Sequence, residues 1–312
     1  MSRTPVITIV GPTASGKTEV AVSLAKQVDG EILNADSIQI YKGMDIGSAK
    51  PGAEALFSVP FHLIDMINPD EPFTVSDWKS AALSAYDKIL SRGKTVILSG
   101  GTGLYIRAFL EGWTLAETPA DPAVREDLER QAQTEGLTSL YNILAKVDAA
   151  SAQRIHSNDK VRIIRALEVY RVTNRSITEW QNENKETAIE MPSLKFGLSL
   201  PRDILNTLID ERVDRMMKEG LEQEVNSLLS KGYSHQLPSM RSLGYKEMTS
   251  YCMGEMNREE AAAAIKQNTR RYAKRQLTWF RADREIHWLD REDSSSEQIA
   301  RNIAEQFHRQ AH

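Results

Sequence analysis

The sequence predicts an α/β fold, a P-loop NTPase-like parallel sheet flanked by helices, with an inserted all-helical lobe. Strand and helix patterns alternate over the first 110 residues, which is typical of parallel strands covered on both faces. Residues 11–18 match the phosphate-binding motif G-x-x-x-x-G-K-[ST]. From Asp121 to about Glu186 we find helical patterns and no convincing strand. We therefore predict a core domain of residues 1–115 and 191–312 and an inserted lobe of residues 116–190.

The motif lies between a predicted strand and a predicted helix. Val6 to Val10 is an apolar run typical of a buried strand, and Lys17 to Gln27 predicts a helix. Glycines at both ends of the loop allow backbone N–H groups to turn toward an anion, and the helix start adds its positive dipole end. Lys17 supplies charge to the outer phosphate oxygens, and the Thr18 hydroxyl can hold Mg²⁺. The residues predicted to bind polyphosphate are Gly11, Pro12, Thr13, Ala14, Ser15, Gly16, Lys17 and Thr18.

The next elements continue the alternation. Glu31 to Ala35 predicts a short strand, and Pro60 to Ile64 predicts a weaker one. A helix is predicted from Thr74 to Ser91, because Thr74 and the Asp three residues later form a capping-box pattern. Thr95 to Leu98 predicts another buried strand, followed by a Gly-rich turn and a helix through Leu110.

The carboxyl-terminal part returns to the core domain. Leu194 to Leu200 predicts a strand. A long helix is predicted from Asp203 to about Lys231, broken or kinked near Gly220. The remaining predicted elements are a helix from Arg258 to about Arg281, a strand from Glu285 to Leu289 and a helix from Ser294 to His308.

Composition narrows the classes of protein and of site. The net charge is −4, so a nucleic-acid site would have to be a local basic patch. Cys252 is the only cysteine, which excludes internal disulfides and a Cys-based metal site. No apolar run approaches the roughly 20 residues of a membrane span, and the strand predicted from Val6 leaves no space for a signal peptide. We therefore expect a cytoplasmic protein, and the charge without an obvious apolar stripe favours a monomer.

Polar residues follow two of the predicted strands. Asp36 and Thr102 each stand just beyond a strand end, Thr102 after Gly100-Gly101. Because the carboxyl ends of parallel strands face the ligand crevice, Asp36 could bind Mg²⁺ or act as a general base, and Thr102 could donate a hydrogen bond. The alternative for Asp36 is a solvated residue that caps the next segment. The alternative for Gly100-Gly101-Thr102 is a tight turn that needs glycine only for its backbone geometry. The strand predicted from Thr95 to Leu98 lacks the terminal Asp that most phosphate-loop ATPases carry on a second apolar strand. A GTPase or a motor ATPase is therefore poorly supported.

A basic and aromatic segment runs from Asn268 to Arg281. Arg and Lys neutralise phosphates, while aromatic rings and Arg planes stack on unpaired bases, so this segment is a candidate RNA groove. The alternative is an amphipathic helix with Tyr272, Leu277 and Phe280 in the core and solvated charges. Both can hold for two faces of one helix.

Other basic residues are weak signals by themselves. Arg241 to Lys246 is loop-like, basic and aromatic, and surface arginines are common. The histidines at 62, 156 and 287 show no metal-ligand spacing. Three arginines of the predicted lobe that would be unremarkable surface residues by themselves are Arg125, Arg162 and Arg165.

Taken together, these motifs resemble the tRNA dimethylallyltransferase family, also called tRNA isopentenyltransferase. The resemblance spans nearly the whole chain in the expected order, and without a C-terminal zinc-finger extension it is to the bacterial form. The matching stretches are Gly11 to Thr18, Asn34 to Pro51, Pro60 to Asp65, Gly100 to Tyr105, Asp121 to Arg125, Asn158 to Val169, Arg241 to Lys246 and Lys274 to Arg281.

The resemblance implies transfer of a dimethylallyl group from dimethylallyl diphosphate to N6 of the adenosine 3′ of the tRNA anticodon, with release of pyrophosphate. The loop would then hold a diphosphate leaving group, with Mg²⁺, instead of ATP. Asp36 would accept a hydrogen bond or proton from the amine, which is a poor nucleophile. The inserted lobe would close around the anticodon stem-loop.

The resemblance also implies roles for particular residues. The catalytic positions that it matches are Asp36, Lys17, Thr18, Thr102 and Arg125. Of these, Thr102 and Arg125 match positions implicated in transition-state or substrate-tRNA contact, and Arg212 is a further candidate pyrophosphate partner. The implied tRNA contacts are Asp36, Ser37, Ile38, Gln39, Val161, Arg162, Ile163, Ile164, Arg165, Arg241, Ser242, Leu243, Gly244, Tyr245, Lys246, Lys274, Arg275, Gln276, Leu277, Thr278, Trp279, Phe280 and Arg281.

Two other classes of function remain open from the residues. A small-molecule or nucleoside kinase shares the phosphate loop and can use an acidic base, but it has no need of the basic helix. A non-catalytic RNA-binding protein would use the phosphate loop for stability alone, so that replacing Lys17 or Asp36 would leave its function intact.

Overall fold

The computed structural model describes residues 5–112, 121–187 and 190–311. The chain divides into two compact units, Met1–Leu110 with Met191–His312, and Glu111–Glu190. The boundary predicted between residues 115 and 116 lies outside the described residues. In the described ranges, no helix combines the length and apolar character needed to cross a membrane.

The first unit contains a single parallel sheet of six strands. The strands are β1 (Val6–Val10), β2 (Gly30–Ala35), β3 (Phe61–His62), β4 (Thr95–Gly100), β5 (Ser193–Ser199) and β6 (His287–Asp290). Their order is β3-β2-β4-β1-β5-β6, and every pairing is parallel. The predicted parallel α/β architecture is therefore confirmed. β4 lies between β1 and β2, so the ends of these three strands share one edge.

Helices cover both faces of this sheet. Successive side chains on β2 alternate, with Leu33 in one hydrophobic cluster and Ile32 in another. Trp78 and Phe109 belong to the first cluster, and Leu24 belongs to the second. The helices of this unit are α1 (Lys17–Gln27), α2 (Ala53–Ser58), α3 (Val75–Ser91), α4 (Gly103–Leu110), α10 (Arg202–Glu219), α11 (Leu221–Ser230), α12 (Tyr245–Cys252), α13 (Arg258–Arg281) and α14 (Ser296–Ala311).

Most of these elements match the predictions, with local differences. The capping box at Thr74 is present, and the predicted break at Gly220 is confirmed, because this glycine has φ +106° and separates α10 from α11. The short helix α2 was not predicted. The loop-like interpretation of Arg241 to Lys246 is wrong at its end, because α12 begins at the fully buried Tyr245.

The second unit is helical throughout its described residues. Asp121 caps the first helix by accepting hydrogen bonds from two backbone N–H groups, as its position before a proline predicts. A separate hydrophobic cluster that includes Leu128, Leu144 and Leu167 stabilises this unit. Its helices are α5 (Pro122–Thr134), α6 (Leu137–Val147), α7 (Ala149–Arg154), α8 (Lys160–Thr173) and α9 (Ile177–Thr187).

Candidate active site at the carboxyl edge of the sheet

A cavity of about 360 Å³ opens in the first unit beyond the carboxyl ends of β1, β2 and β4. The segments after these strands supply Lys17, Asp36 and Gly101 to its wall. Two helices, α10 and α13, supply Arg212 and Gln276. The cavity therefore collects the phosphate loop and the acidic strand end that sequence analysis singled out.

The loop after β1 has the backbone that the motif requires. Gly11 has φ +151° and Gly16 has φ +81°, both in the region that favours glycine. Gly16 is the N-cap of α1, so the first N–H groups of that helix, which have no intrahelical acceptor, are available near the loop. A loop of this shape at a helix N-terminus is suited to bind an anion.

Lys17 and Arg212 concentrate positive charge in the cavity. Burial and the nearby Arg212 charge lower the pKa of Lys17 from 10.5 to about 7, while Asp36 acts in the opposite direction. Burial also lowers the pKa of Arg212, against the effect of Asp36. The Lys17 ammonium donates to the carbonyl oxygen of Pro12 at 2.7 Å. Two cations thus face one nearby carboxylate, and a polyanionic ligand would relieve their mutual repulsion.

Asp36 is both a turn residue and a cavity residue. Its Oδ1 accepts hydrogen bonds from the backbone N–H groups of Ile38 at 2.9 Å and Gln39 at 3.3 Å. These bonds fix the carboxylate at the end of β2, where it lines the cavity. Asp36 can therefore cap the turn and also act on a ligand, because the two hydrogen bonds of the turn both go to its Oδ1.

Thr102 joins the turn after β4 to the segment after β2. Its backbone N–H donates to the Ala35 carbonyl at 3.1 Å, and its Oγ1 accepts from the Ser37 N–H at 3.1 Å. From the end of β4 and this turn, Gly100 and Gly101 line the cavity. The structure thus places Thr102 as a support for the segment that carries Asp36.

Tyr272 is a cavity residue that sequence analysis assigned to the core alternative. Burial and the Asp36 charge raise its pKa to about 12, against hydrogen bonds with the side chains of Thr102 and Gln276. The guanidinium of Arg275 lies 5.6 Å from its ring centroid. The helical spacing of Tyr272, Arg275 and Gln276, three and four residues apart, was the signal that could have placed all three on one cavity-facing side.

The residues present fit a magnesium ion held largely by substrate. In the part of the chain that the structure describes, no cluster of three or more His, Cys, Asp or Glu side chains could hold a metal. The Thr18 hydroxyl and the Asp36 carboxylate both line the cavity and offer the hard oxygen ligands that Mg²⁺ prefers. Mg²⁺ commonly takes one or two protein ligands and completes its shell with phosphate oxygens and water.

Arg125, predicted to be catalytic, lies on α5 in the helical unit. Its guanidinium donates to the fully buried carboxylate of Glu168 at 2.7 Å, and Arg165 donates to the same oxygen at 2.8 Å. Arg162 pairs with the Asp159 carboxylate at 3.4 Å. A role for Glu168 was not predicted, although its position three residues after Arg165 on α8 was an available signal.

The predicted tRNA contacts divide into exposed and buried residues. Ile163, Ile164, Tyr245 and Phe280 are packed in hydrophobic clusters, and Leu277 is partly buried in a further one. The packed side chains support the fold of the predicted tRNA-contact segments, and contact of these segments with tRNA stays a prediction. The exposed members of the predicted set are Val161, Arg162, Arg241, Lys246, Lys274, Arg275, Thr278, Trp279 and Arg281.

Sequence comparison gives one consistent family. The family model described as IPP transferase matches residues 39–283. The tRNA dimethylallyltransferase of Geobacter sulfurreducens is 48% identical over 290 residues, which are 93% of each chain. That of Acetivibrio thermocellus is 42% identical over 299 residues, which are 96% of each chain.

Solved structures give the same result. A tRNA isopentenylpyrophosphate transferase from Bacillus halodurans superposes with a TM-score of 0.73 at 39% identity, covering 99% of this chain and 98% of its own. A eukaryotic dimethylallyltransferase acting on tRNA superposes with a TM-score of 0.76 at 26% identity, covering 93% of this chain and 75% of its own.

Proposed function

Because the chain belongs to the tRNA dimethylallyltransferase family and transfers a dimethylallyl group to tRNA, we propose that the cavity is where this transfer occurs. The diphosphate of the donor would bind at residues 11–18. The acceptor would be N6 of the adenosine 3′ of the anticodon, presented to Asp36. Membership in this family also sets aside the kinase and the non-catalytic RNA-binding protein.

The observation that carries this proposal is the placement of Lys17, Arg212 and Asp36 in one cavity. Lys17 follows the loop after β1, Arg212 lies on α10, and Asp36 follows β2. Because adjacent strands lie about 4.8 Å apart and β4 separates β1 from β2, the two strand ends are about 10 Å apart. This spacing leaves room for a five-carbon group between a bound diphosphate and the acceptor amine.

The leaving group would depart at the β1 side of the cavity. The bond between the allylic carbon and the diphosphate oxygen breaks, and its electron pair stays on the diphosphate. Lys17, Arg212 and the loop N–H groups would stabilise the negative charge that develops there. Mg²⁺, held by the Thr18 hydroxyl and the diphosphate, would supply further charge neutralisation.

Asp36 would act on the nucleophile. The lone pair of an exocyclic adenine amine is delocalised into the ring, so the amine attacks weakly. A carboxylate fixed by the N–H groups of Ile38 and Gln39 can accept a hydrogen bond or proton from N6 as the new C–N bond forms. The adenine must leave the anticodon-loop stack to reach this position, which is least costly in a single-stranded loop.

The tRNA itself would bind to local basic surfaces of a chain with net charge −4. The exposed face of α13 carries Lys274, Arg275 and Arg281, and the helical unit carries Arg125 and Arg162. Cations on exposed faces neutralise RNA phosphates and release counterions. We propose that the protein binds the anticodon stem-loop of tRNA. We also propose that it acts as a monomer in the cytoplasm.

One assay tests the proposed site. The protein is mixed with Mg²⁺, radiolabelled dimethylallyl diphosphate and unmodified tRNA with three consecutive adenosines beside the anticodon, and label in RNA is counted. We expect Asp36→Ala to lose transfer while retaining tRNA binding. Asp87→Ala, at an exposed position of α3, is the matched control and should transfer normally. Loss of tRNA binding in Asp36→Ala would show instead that Asp36 mainly positions the base.

A further inference from the structure

Gln276 is a buried polar residue in the middle of the basic helix α13. It is 6% exposed, whereas its neighbours Lys274 and Arg275 face solvent. Its Oε1 accepts a hydrogen bond from the backbone N–H of Thr13 at 2.8 Å, and its Nε2 donates to the carbonyl oxygen of Gly101 at 2.9 Å. One side chain therefore joins the phosphate loop to the turn after β4.

The contact with Gln276 requires glycine at position 101. A Cβ atom at this position would lie 2.2 Å from Nε2 of Gln276, closer than any real contact, and 3.5 Å from its Cδ. The turn can accept the carboxamide because it has no side chain there. Without Gln276, a partly buried N–H and a carbonyl would each lose a hydrogen-bond partner, which costs more than an ordinary exposed bond.

The two joined segments serve the two substrates of the proposed reaction. The phosphate loop carries Lys17 and Thr18, proposed to hold the diphosphate. The turn after β4 leads into Thr102, whose Oγ1 accepts from the N–H of Ser37, the residue next to Asp36. The carboxamide of Gln276 thus lies at the junction that sets the distance between donor and acceptor sides.

We propose that Gln276 is a positioning residue for dimethylallyl transfer, which fixes the phosphate loop relative to the Thr102 turn and does not itself contact tRNA. This proposal rests on the assignment of the diphosphate to residues 11–18 and of the acceptor to Asp36. A displacement of about 1 Å between reacting groups can cost on the order of 100-fold in rate. The loss should therefore appear in the transfer step, with tRNA affinity retained.

The test compares Gln276→Glu with a matched control. Gln276→Glu keeps the acceptor for Thr13 but places an oxygen against the Gly101 carbonyl, so the second bond becomes a repulsion. Gln267→Glu makes the same chemical change at an exposed position of the same helix. For each protein we would measure the single-turnover rate at saturating substrates, the Kd for an anticodon stem-loop and the thermal unfolding midpoint.

We expect Gln276→Glu, assayed at a temperature where it stays folded, to transfer on the order of 100-fold more slowly than wild type. Its stem-loop affinity should stay within about two-fold, and its unfolding midpoint should be lower, because a buried hydrogen bond becomes a repulsion. Gln267→Glu should match wild type. A loss of stem-loop affinity with an unchanged single-turnover rate would overturn the proposal and make Gln276 a tRNA contact. A normal rate with normal affinity would overturn it as well.

Gly101→Ala tests the same contact from the other side, and carries the test if Gln276→Glu does not fold. Its Cβ would displace the Gln276 carboxamide, so we expect a similar loss of rate. The double variant that combines Gly101→Ala and Gln276→Met should be no slower than the slower of the single variants Gly101→Ala and Gln276→Met. Each single change already removes the same contact between residues 101 and 276. Additive losses would contradict the proposal. Transfer by the wild-type protein tests the proposed function separately from Gln276.

Discussion

Arg125 and Arg165 donate hydrogen bonds to the same oxygen of Glu168, at 2.7 and 2.8 Å. The carboxylate is fully buried, and its other oxygen accepts from the backbone N–H of Asp121 at 3.2 Å. The two guanidinium groups are therefore held side by side at the surface of the helical unit. Paired guanidinium groups fit the oxygens of an RNA phosphate, which supports a tRNA-binding role for this pair.

Glu168→Gln should loosen this pair and weaken tRNA binding. Hydrogen bonds from Arg165 and Arg125 outweigh the effect of burial and hold the pKa of Glu168 below its ordinary value of 4.5. The carboxylate therefore stabilises the folded state above pH 4.5, and this stabilisation is lost as the pH falls further. We expect the free energy of unfolding at pH 7 to fall by about 1–3 kcal/mol, measured with urea.

The same variant should also change the salt dependence of tRNA binding. Arginines that no longer share an anchor neutralise a phosphate less well, so the slope of log K against log salt should become shallower. Glu129→Gln, at an exposed position of α5, is the matched control. An unchanged slope together with reduced stability would assign Glu168 to packing of the helical unit alone.

The pKa of Lys17 predicts how pyrophosphate affinity depends on pH in Mg²⁺-free buffer. The pKa of about 7 means that the free protein loses this positive charge as the pH rises above 7. Because the anion binds the protonated amine, affinity should fall by up to about ten-fold per pH unit above 7. Calorimetric titration with pyrophosphate in Mg²⁺-free buffer from pH 6 to pH 9 measures this fall.

Lys17→Arg supplies the control for that titration. Arginine stays charged throughout this range, and ionisation of pyrophosphate itself affects both proteins equally. The ratio of the two dissociation constants therefore isolates the Lys17 proton and should change with pH. A ratio that stays constant from pH 6 to pH 9 would show that Lys17 remains protonated in the free cavity.

Local sequence signals predicted the strand-loop-helix at residues 11–18 and the edge that carries Asp36. Both depend on neighbours in the chain and on one topological rule, that parallel strands end on the same edge. The contacts of Gln276 and Glu168 could not be predicted in this way. Each of these side chains meets partners 43 to 263 residues away, apart from the near neighbours Arg165 of Glu168 and Tyr272 of Gln276. Such contacts depend on tertiary packing.

Tertiary packing also accounts for the buried residues within the predicted tRNA-contact segments. The sequence around Phe280 is basic and aromatic, and composition cannot separate the packed face of a helix from its solvated face. In the structure, Phe280 is 3% exposed while Lys274 and Arg275 face solvent. The two interpretations of α13 therefore apply to its two faces, although the RNA role of the exposed face stays a prediction.

Lys274→Ala should weaken tRNA binding through phosphate neutralisation alone. Lys274 is exposed on α13 and is not a cavity residue, so the transfer rate at saturating tRNA should remain normal. Filter binding across a range of salt concentrations should show the slope of log K against log salt reduced by about 1. Lys26→Ala, an exposed lysine of α1, should leave the slope unchanged. If Lys274→Ala behaves like this control, the exposed face of α13 does not bind tRNA.

Glu224→Gln should disturb a wall of the cavity from outside it. The Glu224 carboxylate accepts hydrogen bonds from the backbone N–H groups of Asp45 at 2.9 Å, Ile46 at 2.7 Å and Gly47 at 3.1 Å. It also accepts from the Tyr245 hydroxyl at 2.7 Å. An amide would turn one acceptor oxygen into a donor that faces other donors, so this segment should shift.

Because Gly47 lines the cavity, we expect Glu224→Gln to raise the KM of a substrate. The increase in KM should be larger than the loss of folding stability alone would explain. The expected loss of stability is about 1–3 kcal/mol, measured by urea unfolding beside steady-state transfer. Glu219→Gln, an exposed neighbour at the end of α10, should change neither quantity. Reduced stability with unchanged kinetic constants would show that the Glu224 contacts support the fold without shaping the cavity, because a wall that keeps its position leaves substrate binding intact.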